Sequence, residues 1–241
     1  METDGKGIEL IQQSARNEAQ QLVIGDRTFS TKDLKPVIFD PHPHALGVGT
    51  LTGIRDFMAA NVDKLAPADL ILHVMSEREV QLISKIDGPH KIRDGYLLAN
   101  AEDLTFTFGN WYDPEAFVIG VQTAFVQDEV TAALLKVVGN IQDGMAKTIT
   151  DDGVSQTVNA KVGVQLATVA LPSPSLLAPY RTFREVAQPA SLFILRARAG
   201  SDEQPPKLAL FIADGNRWRL DAIKNVAYWL SANVPGVAVL A

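Results

Sequence analysis

Apolar residues recur along this chain with two periods, and the periods divide it into elements. Ile8, Ile11, Ala15, Ala19 and Leu22 fall at spacings of three and four, with Gln12, Gln13, Arg16 and Glu18 between them. The first segment therefore predicts an amphipathic helix, ended by Gly25-Asp26. A polar stretch leads to Asp40-Pro41-His42-Pro43-His44, where the prolines forbid a regular ladder and favour an extended connector. Residues 1–45 read as a helical arm with a Pro-rich linker, and 46–241 as a single domain.

Within that domain Ile54, Phe57, Met58, Val62 and Leu65 predict a helix over about 52–65, with Thr52 as its cap. The apolar run 70–75 predicts a buried strand, and alternation predicts further strands over 80–86 and 104–108. The run 116–126 is open: Asp113-Pro114-Glu115 looks like a helix start, yet the residues that follow favour strands. Val130, Leu134, Val137, Val138 and Ile141 predict a helix over 128–142. Asp151-Asp152-Gly153 marks a turn, and 154–166 alternates as one long strand. Pro172, Pro174 and Pro179 mark a loop, 191–198 and 207–213 a hairpin, and 220–233 a last helix. The order implies an α+β fold: a mainly antiparallel sheet with flanking helices and an N-terminal helical arm.

Of the 241 residues 46% are hydrophobic and 21% charged, enough to bury a core without staples. The chain has no cysteine, so disulfides, thiolate nucleophiles and zinc–thiolate sites are excluded. The acidic, polar start lacks the features of a signal peptide, and no apolar run approaches the roughly 18–20 residues that span a bilayer. The expectation is a cytoplasmic protein with no membrane partner.

Charge changes the picture more. The formal net charge is −6, which opposes bulk nucleic-acid binding unless phosphate repulsion is beaten locally. The balance is uneven, because residues 180–241 hold eight basic side chains against five acidic ones. Arg196 and Arg198 stand two apart on one predicted strand and share a face. Arg217 and Arg219 flank Trp218 before the last helix, and Arg181 and Arg184 lie in Pro179-Tyr180-Arg181-Thr182-Phe183-Arg184. Guanidinium groups beside aromatic rings suit phosphate contact plus base stacking. The alternative is a set of ion pairs, within or between subunits, with partners such as Asp214 or Asp221 for Arg217 and Arg219. If they bind an anion, the N–H groups at the start of the last helix add to the guanidinium charge.

Other motifs carry less. Gly47-Val48-Gly49-Thr50-Leu51-Thr52-Gly53 precedes a helix and has the glycines of a phosphate loop, but not the spacing of the dinucleotide fingerprint; a linker and helix start explain it as well. His42 and His44 form a close pair without a carboxylate at helical spacing, His73 lies in an apolar strand, and His90 lies in a turn. Asp143, Asp151 and Asp152 read as a solvated turn rather than a cation site. HExxH, GxSxG and a Walker A motif are absent. No catalytic residue, metal or cofactor is implied.

Asp151-Asp152-Gly153-Val154-Ser155-Gln156, then Pro179-Tyr180-Arg181-Thr182-Phe183 with Glu185 and Gln188-Pro189, then Ala209-Leu210-Phe211-Ile212-Ala213-Asp214-Gly215 with Trp218 together resemble the phage- and prophage-associated YfdQ family of unknown function. The stretch from Phe125-Val126 to Val138-Gly139-Asn140 is similar too, and the likeness runs from about His44 to Leu230, leaving residues 1–43 outside. The resemblance implies a phage or prophage origin near replication or recombination genes, and it carries no catalytic residues. The expected protein is non-enzymatic, self-associating, and binds a nucleotide or single-stranded nucleic acid. Its candidate contacts are Arg181, Arg184, Arg196, Arg198, Arg217, Trp218 and Arg219. The alternative is a structural subunit of a closed homo-oligomeric ring or shell.

Overall fold

The computed structural model describes residues 7, 9, 10, 13, 14, 21–24, 27–30, 43–86, 91–143, 149–151, 156–162, 165–200 and 206–241. The chain divides into two compact units, Met1–His42 and Pro43–Ala241. In the first, residues 7, 9, 10, 13 and 14 are helical, and β1 (Gln21–Ile24) pairs antiparallel with β2 (Arg27–Ser30). The arm is thus not helical through Leu22. That leucine belongs with Val23 and Ile24 to a β-branched strand, and Gly25-Asp26 lies between the two strands rather than at a helix end.

Among its described residues the second unit holds four α-helices, α1 (Leu51–Ala60), α2 (Pro114–Ala124), α3 (Glu129–Asp143) and α4 (Trp218–Asn233). Its largest sheet is built from β3 (Leu46–Val48), β4 (Leu70–Val74), β5 (Glu79–Ser84), β6 (Gly95–Asn100) and β13 (Ala238–Leu240), in the order β13-β4-β5-β6-β3. Its three central strands are antiparallel, and each edge strand lies parallel to its neighbour. A meander of β7 (Ile149–Asp151), β8 (Gln156–Val162) and β9 (Gln165–Ala170) and a second one of β10 (Ser175–Leu177), β11 (Ser191–Arg198) and β12 (Lys207–Ile212) are antiparallel throughout. The fold is α+β with mainly antiparallel pairing.

Helix starts follow local chemistry. Asp113 accepts from the Ala116 N–H at 2.8 Å with Pro114 as the first helical residue, which settles 114–124 as α2. Gly120 also has a packing reason, since a Cβ there would come within 2.8 Å of the Phe106 ring. Asp128 caps α3 through the Thr131 N–H at 2.8 Å. Thr50, not Thr52, caps α1, and Asn61 ends it in the left-handed region (φ 42°), so Val62 and Leu65, inside the predicted helix, lie beyond the observed one, and Val62 is exposed.

Three other expectations are corrected. Residues 104–108 form no strand: Phe106 and Phe108 turn into an aromatic cluster with Phe117, Phe125 and Phe193, mimicking strand alternation without a ladder. The long strand over 154–166 is two strands, β8 and β9. The stripe on α3 begins at the buried Thr131, whose hydroxyl donates to the Val126 carbonyl, while Val130 faces water.

Two cores result. One joins α2 and α3 to β10–β12 through Phe117, Val121, Leu134, Val138, Phe193 and Leu210. The other joins α1 and α4 to the five-stranded sheet through Ile54, Leu72, Leu82, Leu97, Val226 and Leu230. The segment 180–193 enters both, with Phe183 and Val186 in the second and Phe193 in the first.

Candidate anion-binding site

The arginine-rich segment places its charges in three environments. Arg181 is 4% exposed. One of its nitrogens, Nη2, donates to the Ser191 hydroxyl at 2.6 Å and to the Pro189 carbonyl at 3.2 Å. Ser191 donates onward to Asp214 Oδ2 at 2.6 Å, so a neutral hydroxyl links a buried cation to a carboxylate. The guanidinium lies 3.8 Å from the Trp218 ring centroid, and its main-chain N–H is held by Gln188 Oε1. Burial pulls the Arg181 pKa down from the ordinary arginine range to about 10; Asp214 pulls it back up, Arg219 lowers it and Glu77 raises it. It stays protonated at neutral pH.

Burial would raise the pKa of Asp214, but hydrogen bonds from Ser191 and from the N–H groups of Asn216 and Trp218, with the Arg181 charge, hold it below its ordinary value. This corrects one expectation: of the first N–H groups of α4, that of Trp218 is taken by the Asp214 carboxylate and those of Arg219 and Leu220 by the Asn216 and Arg217 carbonyls, rather than being left open to an anion. The turn requires Gly215 and Asn216 at φ 63° and 67°, where glycine and asparagine are the cheapest residues. The glycine-bearing loop before α1 is filled in the same way. Thr50 Oγ1 accepts from Gly53, and Glu185 Oε1 accepts from both the N–H and the hydroxyl of Thr52 at 2.9 and 3.0 Å. Its glycines serve a helix start, not a phosphate.

A depressed carboxylate pKa carries a sign. The stabilisation from Asp214 is fully present above the ordinary carboxylate value and is lost as pH falls through the lower folded value. Asp214→Asn is therefore expected to flatten the loss of stability below about pH 4. Urea midpoints across that range test this, and unchanged slopes would contradict it.

Around this clasp lie the exposed charges. Arg219 sits 5.7 Å from the Trp218 ring and pairs with Glu77 Oε1 at 3.5 Å, not with Asp214 or Asp221. Arg217 is exposed, and its side chain has no hydrogen-bond or ion-pair partner among the described residues. Arg184 stacks on Tyr180 at 4.1 Å, and Arg198 stacks on Trp111 at 3.9 Å. Arg196 and Arg198 do share the outward face of β11, while Arg181 contacts Phe193 on the inward face. The structure thus gathers Arg181, Trp218 and Arg219, and separates Arg196 and Arg198 from them. Arg181 and Trp218 are buried, so they position the segment, and the ring face of Trp218 that a base would need is covered by Arg181. Sequence reasoning missed Trp111 and Phe211, whose rings lie 6.2 Å apart, as well as Glu77 and Ser191. Tyr180, four residues before Arg184, was within reach of it.

Among the described residues no helix is long and apolar enough to cross a membrane, and no cluster of three metal-ligating side chains occurs. His42, His90 and Asp152 lie outside the described residues. Comparison with protein-family models, curated proteins and solved structures finds no match for this chain.

Proposed function

We propose that this chain is a non-enzymatic phage or prophage accessory protein of the cytoplasm that self-associates and binds an anionic ligand, a nucleotide or single-stranded nucleic acid. One observation carries the binding reading: Arg184 and Arg198 are exposed guanidinium groups laid on aromatic rings and, among the described residues, held by no carboxylate, and the exposed Arg217 is likewise held by none. A guanidinium flat on a ring keeps its edge free for two parallel hydrogen bonds to phosphate, while nearby rings offer faces to bases. Such local groups are what a chain of net charge −6 needs to overcome phosphate repulsion. The phage origin rests on the resemblance of the motifs quoted above.

Changing Arg184, Arg198, Arg217 and Arg219 together to Gln is expected to abolish binding of ATP or a short oligonucleotide while leaving the unfolding midpoint within about 1 kcal/mol of wild type, as exposed positions allow. Fluorescence anisotropy and urea unfolding measure the two effects. Undiminished binding in a folded quadruple variant would overturn the reading.

A second reading, a ring or shell subunit, is favoured by the edges of the five-stranded sheet. The edge strands β3 and β13 run in the same direction, and Leu46 and Leu240 on them are more than half exposed. One edge meeting the other on a neighbouring copy would be a head-to-tail contact. Mass in solution separates the readings: a small oligomer carrying an ultraviolet-absorbing ligand supports the binder, and a particle of many tens of subunits supports the shell.

A further inference from the structure

Resting on the binding reading above, we infer that the outward face of the β10–β12 sheet is the platform that receives the bases and phosphates of a single strand. Side chains alternate along β11, so Ser191, Phe193, Leu195 and Ala197 enter the core and Leu192, Ile194, Arg196 and Arg198 face outward. Register places Leu176 opposite Leu192, Phe211 opposite Ile194 and Lys207 opposite Arg198 on that face. Leu176 is 53% exposed, Leu192 42% and Phe211 37%. These are large apolar groups left to water on a rigid, hydrogen-bonded surface.

The segment before α2 completes the platform. Tyr112 bridges to Leu208 at the free side of β12, which brings Trp111 alongside that strand. Gly109, at φ 78°, lets the chain turn tightly against Phe211; a Cβ there would already touch the ring at 3.7 Å. Arg198, Trp111 and Phe211 then form a continuous series, with the guanidinium 3.9 Å from the Trp111 ring and the two aromatic centroids 6.2 Å apart.

The charge of the face decides among occupants. Among the described residues its outward strand positions carry the exposed Arg198 and Lys207 and no carboxylate. A second copy packing through the same face would set these cations against their own equivalents, a like-charge contact. A polyanion meets them favourably. The leucines and the Phe211 face add apolar surface that the phosphates of a duplex do not use but the unpaired bases of a single strand do.

The test is anisotropy of the full chain with a fluorescein-labelled oligo(dT) of about a dozen nucleotides, within the site sizes such surfaces show, and with a duplex of equal length. Phe211→Ala is expected to weaken oligo(dT) binding by about tenfold or more, as loss of a stacking ring does. Phe211→Leu keeps the side-chain bulk should the alanine variant fail to fold, and is expected to weaken binding as well. Arg198→Gln with Lys207→Gln is expected to reduce the slope of log affinity against log salt by about 1.4, the single-strand value for two phosphate contacts. Duplex binds more weakly. If wild type binds, the quadruple arginine variant does not, and these face variants bind like wild type, the platform is wrong while the binding reading stands. If the face variants change the oligomeric mass and leave affinity intact, the face is a contact between copies and the inference is overturned. If wild type binds neither nucleotide nor oligonucleotide at low salt, both fall.

Discussion

Leu134→Asp is expected to leave the chain without a cooperative unfolding transition. Leu134 lies at the centre of α3, fully buried with Val138 and Ile141 against Phe117, Val121 and Phe193. The substitution removes a packed side chain, which alone costs about 2–5 kcal/mol, and forces the carboxyl to be buried without a partner, which costs several kcal/mol more. Together these match the whole stability of an ordinary domain, about 5–15 kcal/mol. Val130→Asp, one turn earlier, provides the contrast. Val130 shares the sequence periodicity but is 42% exposed, so its substitution is expected to cost within about 0.5 kcal/mol. Far-ultraviolet circular dichroism through a urea titration distinguishes the two, and a folded Leu134→Asp variant with a wild-type midpoint would contradict the packing.

Arg181→Met is expected to destabilise the chain by about 1–3 kcal/mol, the cost of leaving buried hydrogen-bonding groups without their partner. The substitution takes the donor from Ser191 and from the Pro189 carbonyl, and leaves Asp214 without its nearest cation. The pair itself need not be a large net gain, because burying a guanidinium is expensive, as the fall of its pKa to about 10 reflects. The loss comes from stranding what remains. Arg181→Lys is expected to recover little, since an ammonium cannot lie flat on Trp218 while bonding both oxygens. Denaturant midpoints of the three proteins test this, and an Arg181→Lys variant as stable as wild type would show that only the charge matters.

Elements with a local signature were legible in the sequence. The hairpin of β11 and β12 was marked by its polar connection, α3 by its apolar stripe, and β4 by an apolar run whose alternate residues Leu70, Leu72 and Val74 are buried. Elements made by distant partners were not. Phe106 reaches its core position by packing on Gly120 and Phe125, and its spacing with Leu104 and Phe108 imitates a strand. Glu185 reaches the start of α1 from 133 residues further along the chain, and nothing near Thr52 announces it. In the candidate site, the arginines and Trp218 were visible as a composition, and the shared face of Arg196 and Arg198 followed from strand geometry. Their division into a buried clasp and exposed stacks was not visible, because burial depends on Ser191, Asp214 and Trp111, brought together only by the fold.

On the proposed reading, exposed arginine–aromatic pairs give this acidic chain a site for an anionic ligand. That reading is tested most directly by titrating the purified wild-type protein with ATP and with labelled oligo(dT) at low salt, then repeating at rising salt. Saturable binding to at least one of them, with log affinity falling linearly against log salt as contacts to phosphate require, is the result predicted. No binding to either at low salt would contradict the account and leave the ring or shell subunit as the reading to pursue.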